Sequence, residues 1–319
     1  MAKRKDATRV QIDEPLHMIL PYIMPHKTEA EVSSFEHFDV TNLVDYIDAK
    51  RAKGSELKLF HCICYAVAKT IYHRPLLNRF IAGKYYWQRN DISLSFNVKQ
   101  KFQDDAQESL MFLYAKPEMT LDDVSKLILG DVKQIRHNGS NDIDGTMKFV
   151  GKLPRFIITF LVWVLKRLDF HGHMIEALSK GDPNFSTVLL SNLGSIGAGA
   201  PYHHLNNYGT NSIMITIGTL DRNEKKATLD MTFTLDERIA DGFYFAKSLR
   251  YIKYLFEHPE EMEKPISAEM PEGIIEAKHH QAKVVKEVKK PAVKKASSNK
   301  KATTKKTTTA KKATTKNTK

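Results

Sequence analysis

Residues 226–259 read KATLDMTFTLDERIADGFYFAKSLRYIKYLFEHP, and the hydrophobic period changes midway. Leu229, Met231, Phe233 and Leu235 alternate with polar residues, the period-two pattern of a strand with one buried face. After Asp241-Gly242 the apolar residues Phe245, Leu249, Ile252 and Phe256 recur at helical spacing, until Pro259 stops the run. Seven residues, Asp236-Glu237-Arg238-Ile239-Ala240-Asp241-Gly242, make the junction. A strand feeding an amphipathic helix through so short a turn requires a sheet and a helix sharing one core.

The rest of the chain supplies the partners. DVTNLVDYIDAKRAKG predicts a helix capped by Thr41, with Leu43, Val44, Tyr46 and Ile47 on its apolar side and Gly54 as its stop. LKLFHCICYAVAKTIYH predicts a more buried helix ended by Pro75. FIAGKYYW and DISLSFNV predict a pair of strands separated by Gln-Arg-Asn, the second alternating Ile92, Leu94, Phe96 and Val98 with Ser93, Ser95 and Asn97. SLMFLYA predicts another strand. MTLDDVSKLILGDVKQIR predicts a helix opened by Thr120 and Asp123. GSNDID is a polar break, followed by the apolar helix LPRFIITFLVWVLKRLDFHG. FSTVLLSNLG and NSIMITIG return to strand character. The order is helices, strands, helices, strands, helix, which favours a mixed α+β layer fold over a doubly wound one.

The +12 net charge does not belong to this body. Residues 278–319 hold 15 lysines and a single acid, Glu287, a net of +14. Subtracting that from +12 leaves −2 for residues 1–277. Three parts are expected: a flexible arm at 1–13, a domain at 14–277, and a disordered Lys/Thr/Ala-rich tail at 278–319. The tail has too little apolar surface to offset its ordering entropy. Such a polycation can bind nucleic acid or other polyanions nonspecifically, or act as a tether. Cys62 and Cys64 sit in an apolar run and read as reduced core residues of a cytoplasmic protein. No signal peptide is apparent, and the longest apolar run, Phe156–Leu165, spans only about 15 Å as a helix.

Three stretches in order, FEHFDVTNLVDY, FSTVLLSNLGSIG and DERIADG, resemble the catalytic domain of the dihydrolipoyl acyltransferases of 2-oxoacid dehydrogenase complexes. That family shares its fold with chloramphenicol acetyltransferase. The second stretch is similar to the family's Thr-Phe-Thr-Ile-Ser-Asn-Leu-Gly segment, and the third to its Asp-His-Arg-x-x-Asp-Gly. The resemblance covers roughly residues 15–260. It implies a two-layer α+β sandwich and a homotrimer with active sites between subunits. Coenzyme A would enter from one side and the acyl acceptor from the other. No bound cofactor is expected; acyl-coenzyme A is the expected cosubstrate. No lipoyl or subunit-binding domain precedes the catalytic part, so a stand-alone member is expected.

The family's chemistry needs a base, a nucleophile attacking a thioester carbonyl, and a donor for the oxyanion. Carried over, the oxyanion donor falls on Thr187, with Ser186 beside it. Ser191, Asn192 and Gly194 fall on the turn that shapes the channel. Asp241 orients the catalytic loop, in the family through a salt bridge to an arginine near the N-terminus. That arginine's place here falls near Pro15. The base position holds Glu237 where the family has histidine. An unperturbed glutamate near 4.3 faces a thiol near 8.5, so full proton transfer is uphill by about 5–6 kcal/mol; an imidazole faces half that deficit. Two readings stand: a glutamate made basic by burial, or one merely paired with an arginine such as Arg238 in a silent site. The silent reading makes the chain a trimeric scaffold with a polybasic tail.

His203 and His204, in GAPYHHLNNYG, follow the Asn-Leu-Gly turn and are further channel candidates. His171 and His173 end the apolar helix, where they can offset its negative end. No carboxylate stands at ligand spacing from these four, so no metal site is expected. The apolar helix of residues 154–172 has three readings, in order of preference: core, the wall of an acyl channel, or a surface helix on a membrane between Lys152, Arg155, Lys166 and Arg167.

Overall fold

The alternating runs assemble into a six-stranded mixed sheet. A computed structural model describes residues 4–99, 108–138, 151–174, 179 and 181–275, all within one compact unit of residues 1–278. The tail at 278–319 and the polar break at 139–144 lie outside the described residues.

The strands are β1 (Ala7–Val10), β2 (Glu31–Asp39), β3 (Arg79–Ala82), β4 (Tyr85–Arg89), β5 (Ile92–Lys99), β6 (Glu108–Ala115), β7 (Val188–Asn192), β8 (Ile213–Arg222) and β9 (Ala227–Asp236). The six α-helices among the described residues are α1 (Pro15–Ile23), α2 (Thr41–Ala52), α3 (Leu59–His73), α4 (Leu121–Asn138), α5 (Arg155–Phe170) and α6 (Gly242–Glu257). The large sheet runs β2-β9-β8-β7-β5-β6. β7 lies parallel to β5 and β8, and the other pairs are antiparallel.

One sheet face is apolar. Leu94, Phe96, Val188, Leu190, Ile213, Ile215, Met231 and Phe233 join the buried faces of α2, α3, α4 and α6 in a single core. Cys62 and Cys64 are free and buried there, and burial pushes the Cys62 thiol up to about 12. Gly54, at φ +88°, donates its N–H to the Arg51 carbonyl and ends α2. Thr41 is the first helical residue rather than the cap; its hydroxyl donates to Asp39 Oδ1 at 2.6 Å.

The opposite face was expected to be solvated in β5, but Ser93 and Ser95 are buried. Segments 182–187 and 197–212 supply the cover. Asn211 donates to the Thr187 carbonyl, and Thr232 to the Pro201 carbonyl. The sheet therefore has an apolar core side and a hydroxyl-rich side that is also covered.

Three further expectations are corrected. FIAGKYYW is not one strand pairing with DISLSFNV. Gly83 and Lys84 both take positive φ, +60° and +65°, and fold it into the β3–β4 hairpin of a separate three-stranded sheet, β1-β4-β3. Residues 7–10 are not a flexible arm. β1 pairs with β4, and Ala7 packs with Phe80, Ala82 and Trp87. Arg4 is buried, bonded to Asp6 and to Asp169 of α5. The apolar helix α5 is not core, because none of its residues is buried.

Candidate functional site

β9 delivers the Asp236–Gly242 turn to one end of the sheet, and the turn is heavily tied down. Leu235, Asp236, Arg238, Ile239 and Ala240 are all buried. Arg238 meets Asp236 in a bidentate pair, Nε to Oδ1 at 2.7 Å and Nη2 to Oδ2 at 2.6 Å. Its remaining Nη1 donates to the Met24 carbonyl at 2.6 Å. Arg238 therefore faces inward and bonds Asp236, neither lining a channel nor pairing with Glu237.

At the other end, Asp241 caps α6, accepting from the Tyr244 N–H at 2.7 Å. Arg74, at the end of α3, lies within electrostatic reach of Asp241 without forming an ion pair with it. Arg74 stacks 3.5 Å from the Tyr244 ring centroid and donates to Ser248 Oγ and the Tyr244 carbonyl. Between these two fixed ends, Glu237 donates its N–H to the Ala30 carbonyl at 2.8 Å, and its side chain is exposed.

Thr187 lies on the covered face of the sheet. Val188, Ile213 and Leu235 stand in one row across β7, β8 and β9. The backbones of Thr187 and Asp236, one residue beyond that row, are thus two strand spacings apart, about 10 Å. Thr187 Oγ1 accepts from the Ser93 N–H at 3.1 Å and donates to Asn78 Oδ1 at 2.9 Å. The Asn78 amide is oriented by its NH₂ donating to the Arg89 and Asp91 carbonyls. A hydroxyl has one proton. In this arrangement Thr187 has committed it to Asn78 rather than to an oxyanion. Ser186 Oγ is likewise held, 2.7 Å from Ser95 Oγ.

Ser191 and Asn192 lie at the far end of β7, and Gly194 opens the next turn, where a Cβ would stand 2.0 Å from the Gly218 carbonyl oxygen. His203 is half-buried and His204 exposed, both in the segment over the hydroxyl-rich face. Among the described residues no cluster of His, Cys, Asp and Glu could hold a metal ion.

A cavity of about 430 Å³ borders the turn from the side of Ile239, Ala240 and Asp241, within the size range of small-ligand sites. Its lining combines Arg74, Arg79 and Lys247 with Asp13, Glu14 and Asp241, and with Tyr86, Phe243 and Tyr244. Of the ten residues the sequence pointed to, only Asp241 lines it. Neither Glu237 nor Thr187 does.

A second group that sequence reasoning missed lies beneath the turn. Lys27 is buried and donates to the Gly209 and Asn211 carbonyls, both at 3.0 Å. Burial pulls its ammonium down to about 7, opposed by the Asp236 charge and reinforced by Arg89 and Arg238. Arg89 clamps the covering segments, donating to the Phe185 and Thr210 carbonyls. The linkage sign follows. Unfolded Lys27, at its ordinary 10.5, binds a proton more tightly than folded Lys27. Its cost is full below pH 7 and is relieved as pH rises from about 7 to about 10.5. Urea midpoints of the parent and Lys27→Met between pH 7 and 10 should show a rise peculiar to the parent, at most about 1.4 kcal/mol per pH unit. Equal slopes would show that Lys27 stays charged in the folded state.

A mixed six-stranded sheet, a helical layer on one side, and a strand–turn–helix closing on Asp241-Gly242 define the α+β fold of acyltransferase catalytic cores. The solved structures bear this out. The chain is similar to a probable dihydrolipoamide acetyltransferase from Listeria monocytogenes, with TM-score 0.50 and 17% identity over 79% of this chain and 94% of that one. It is similar to the dihydrolipoamide acetyltransferase of Azotobacter vinelandii, with TM-score 0.51 and 14% identity over 79% and 94%. It is also similar to a truncated catalytic core of the Thermoplasma acidophilum 2-oxoacid dehydrogenase multienzyme complex, with TM-score 0.51 and 16% identity over 79% and 99%. At these identities the likeness establishes the fold. No family model and no curated protein matches the chain.

Proposed function

We propose that this protein is a coenzyme A-dependent acyltransferase with Glu237 in place of the family's histidine base. The observation that carries this reading is the turn itself. Five of its neighbours are buried, Arg238–Asp236 fixes one end and the Asp241 cap the other, and the one side chain presented outward between them is the Glu237 carboxylate. Such preorganisation is what a proton-accepting group requires. The Azotobacter relative, in which a serine, a histidine and an asparagine have been investigated for their part in the catalytic mechanism, supports looking for chemistry in this fold.

In the proposed step Glu237 takes the proton of an acceptor X–H. X attacks the thioester carbonyl, the C–S bond breaks, and coenzyme A leaves as a thiolate. Asp241 holds the turn in register, and the adjoining cavity, whose lining carries both signs of charge, receives part of the substrate. Because Glu237 is exposed in one chain, a neighbouring copy in a trimer would supply the dry wall. The commitment of the Thr187 proton to Asn78 favours a second reading, in which the fold persists as a silent trimeric scaffold. The test is release of free coenzyme A thiol from acetyl- through long-chain acyl-coenzyme A, with thiol, alcohol and amine acceptors. Time-dependent release above the protein-free rate is expected. Neither turnover nor binding with any of them would leave the scaffold reading.

A further inference from the structure

α5 is an apolar helix none of whose residues is buried. Phe156 is 75% exposed, Phe160 60% and Trp163 61%. Their spacing of four and three residues puts them in one stripe, which Arg167 and Phe170 continue. The Phe160 and Trp163 rings stack at 6.2 Å. Ile157, Val164, Leu165 and Leu168 are half-buried. The helix is fixed at its C-terminal end. Asp169 accepts from Arg4 at 2.6 Å, and the Phe170 carbonyl sits against Gly83, where a Cβ would come within 2.1 Å. The stripe is thus presented by a held element.

We propose that α5 seats this protein on an anionic membrane surface, with the Phe156–Phe160–Trp163 stripe entering the headgroup region. Charge selects this occupant over the α5 of a second copy meeting it face to face. Lys152, Arg155, Lys166 and Arg167 are all exposed around the stripe. The single acid between residues 151 and 174 is Asp169, and Arg4 holds it. Two such faces meeting across a twofold axis would bring like charges together, whereas anionic lipid neutralises them. Aromatic residues beside Lys and Arg are the composition of a helix lying in the interface plane. No helix among the described residues is long and apolar enough to cross a membrane. The 15 lysines of residues 278–319 add to the attraction by composition alone and are no part of the site on α5.

The chain has two tryptophans, and Trp87 is buried at 5% exposure, so a change in polarity at the surface is reported by Trp163. The full chain is titrated with vesicles of phosphatidylcholine alone and of phosphatidylcholine with one-third phosphatidylglycerol. The expected result is a blue-shifted emission and co-sedimentation with the anionic vesicles only. Phe156→Asp/Phe160→Asp, at exposed positions, should keep the parent melting temperature and weaken vesicle affinity on the order of tenfold or more. Co-sedimentation with Trp163 emission unmoved would mean adsorption through the lysines alone and would overturn the proposal. So would a blue shift that follows protein concentration without vesicles, which marks a contact between copies. Absence of binding to both vesicles has the same consequence.

Discussion

Arg238→Ala should lower stability by about 3–5 kcal/mol, because it leaves a buried carboxylate without its counter-ion. Both side chains are almost fully buried, at 2% and 1% exposure, so solvent cannot take over for the lost guanidinium. Three side-chain hydrogen bonds go with it: the two arms of the bidentate pair and the bond to the Met24 carbonyl. At roughly 2–4 °C per kcal/mol for a body of this size, the melting temperature should fall by about 10 °C. The control is Asp236→Leu/Arg238→Met, which removes both charges and should recover most of the loss. Thermal and urea unfolding of the parent and both variants decide the matter. A single substitution as mild as a surface change, under about 1 kcal/mol, would mean that the pair is open to water and the turn is not held as described.

That pair was invisible to sequence reading for a physical reason. Asp236 and Arg238 are two residues apart at the end of a strand, a separation that leaves both side chains on one face. The same pattern leaves Glu237 free to pair with Arg238 across the turn. Only the curvature at Glu237, whose N–H is taken by the Ala30 carbonyl from the adjacent β2 edge, settles which carboxylate points inward. Lys27, Asn78 and Arg89 were missed for a related reason. Each acts on residues about a hundred or more positions away, and no local period encodes such a contact.

What was legible had a period or a motif. α2, α3, α4, α6 and strands β5 to β9 of the large sheet announced themselves by apolar character, whereas β2 and the two ends of the DERIADG turn were legible only through the fold they resemble. α1 was hidden because Pro15 and Pro21 bracket a run too short to show helical spacing. The β3–β4 hairpin was hidden because its turn is Gly-Lys, with Lys84 forced to φ +65°, instead of the Asn-Gly that marks such turns. α5 was read first as core because a run with nine apolar residues in ten ordinarily is. Its period gave the helix, but a period cannot say whether another element covers it. Ser186 and Thr187 are neighbours in the sequence, yet what their hydroxyls bond is decided by Ser95 and Asn78, which come from other elements.

Replacing Glu237 by histidine should raise the rate of thioester transfer about tenfold at pH 7.5, if a thiol is the acceptor. Glutamine should lower it by about 10²–10⁴. The first number follows from base strength. Glutamate and imidazole have ordinary values of about 4.3 and 6.5, so the deficit against a thiol near 8.5 shrinks by about two units. Half of that, at the usual Brønsted slope of about 0.5, appears as one decade in rate. The side chain is exposed in a turn whose neighbours are buried and bonded, so either replacement should fold as the parent does. That separates this test from Arg238→Ala, where folding itself is at stake. The measurement is kcat/KM for coenzyme A release by the three proteins, with melting temperatures to confirm equal folding. If glutamine matches the parent, Glu237 accepts no proton and the base lies elsewhere. If glutamine and glutamate are both inactive and histidine alone turns over, the fold still holds a substrate in place, and the one altered residue of the turn is what silenced it.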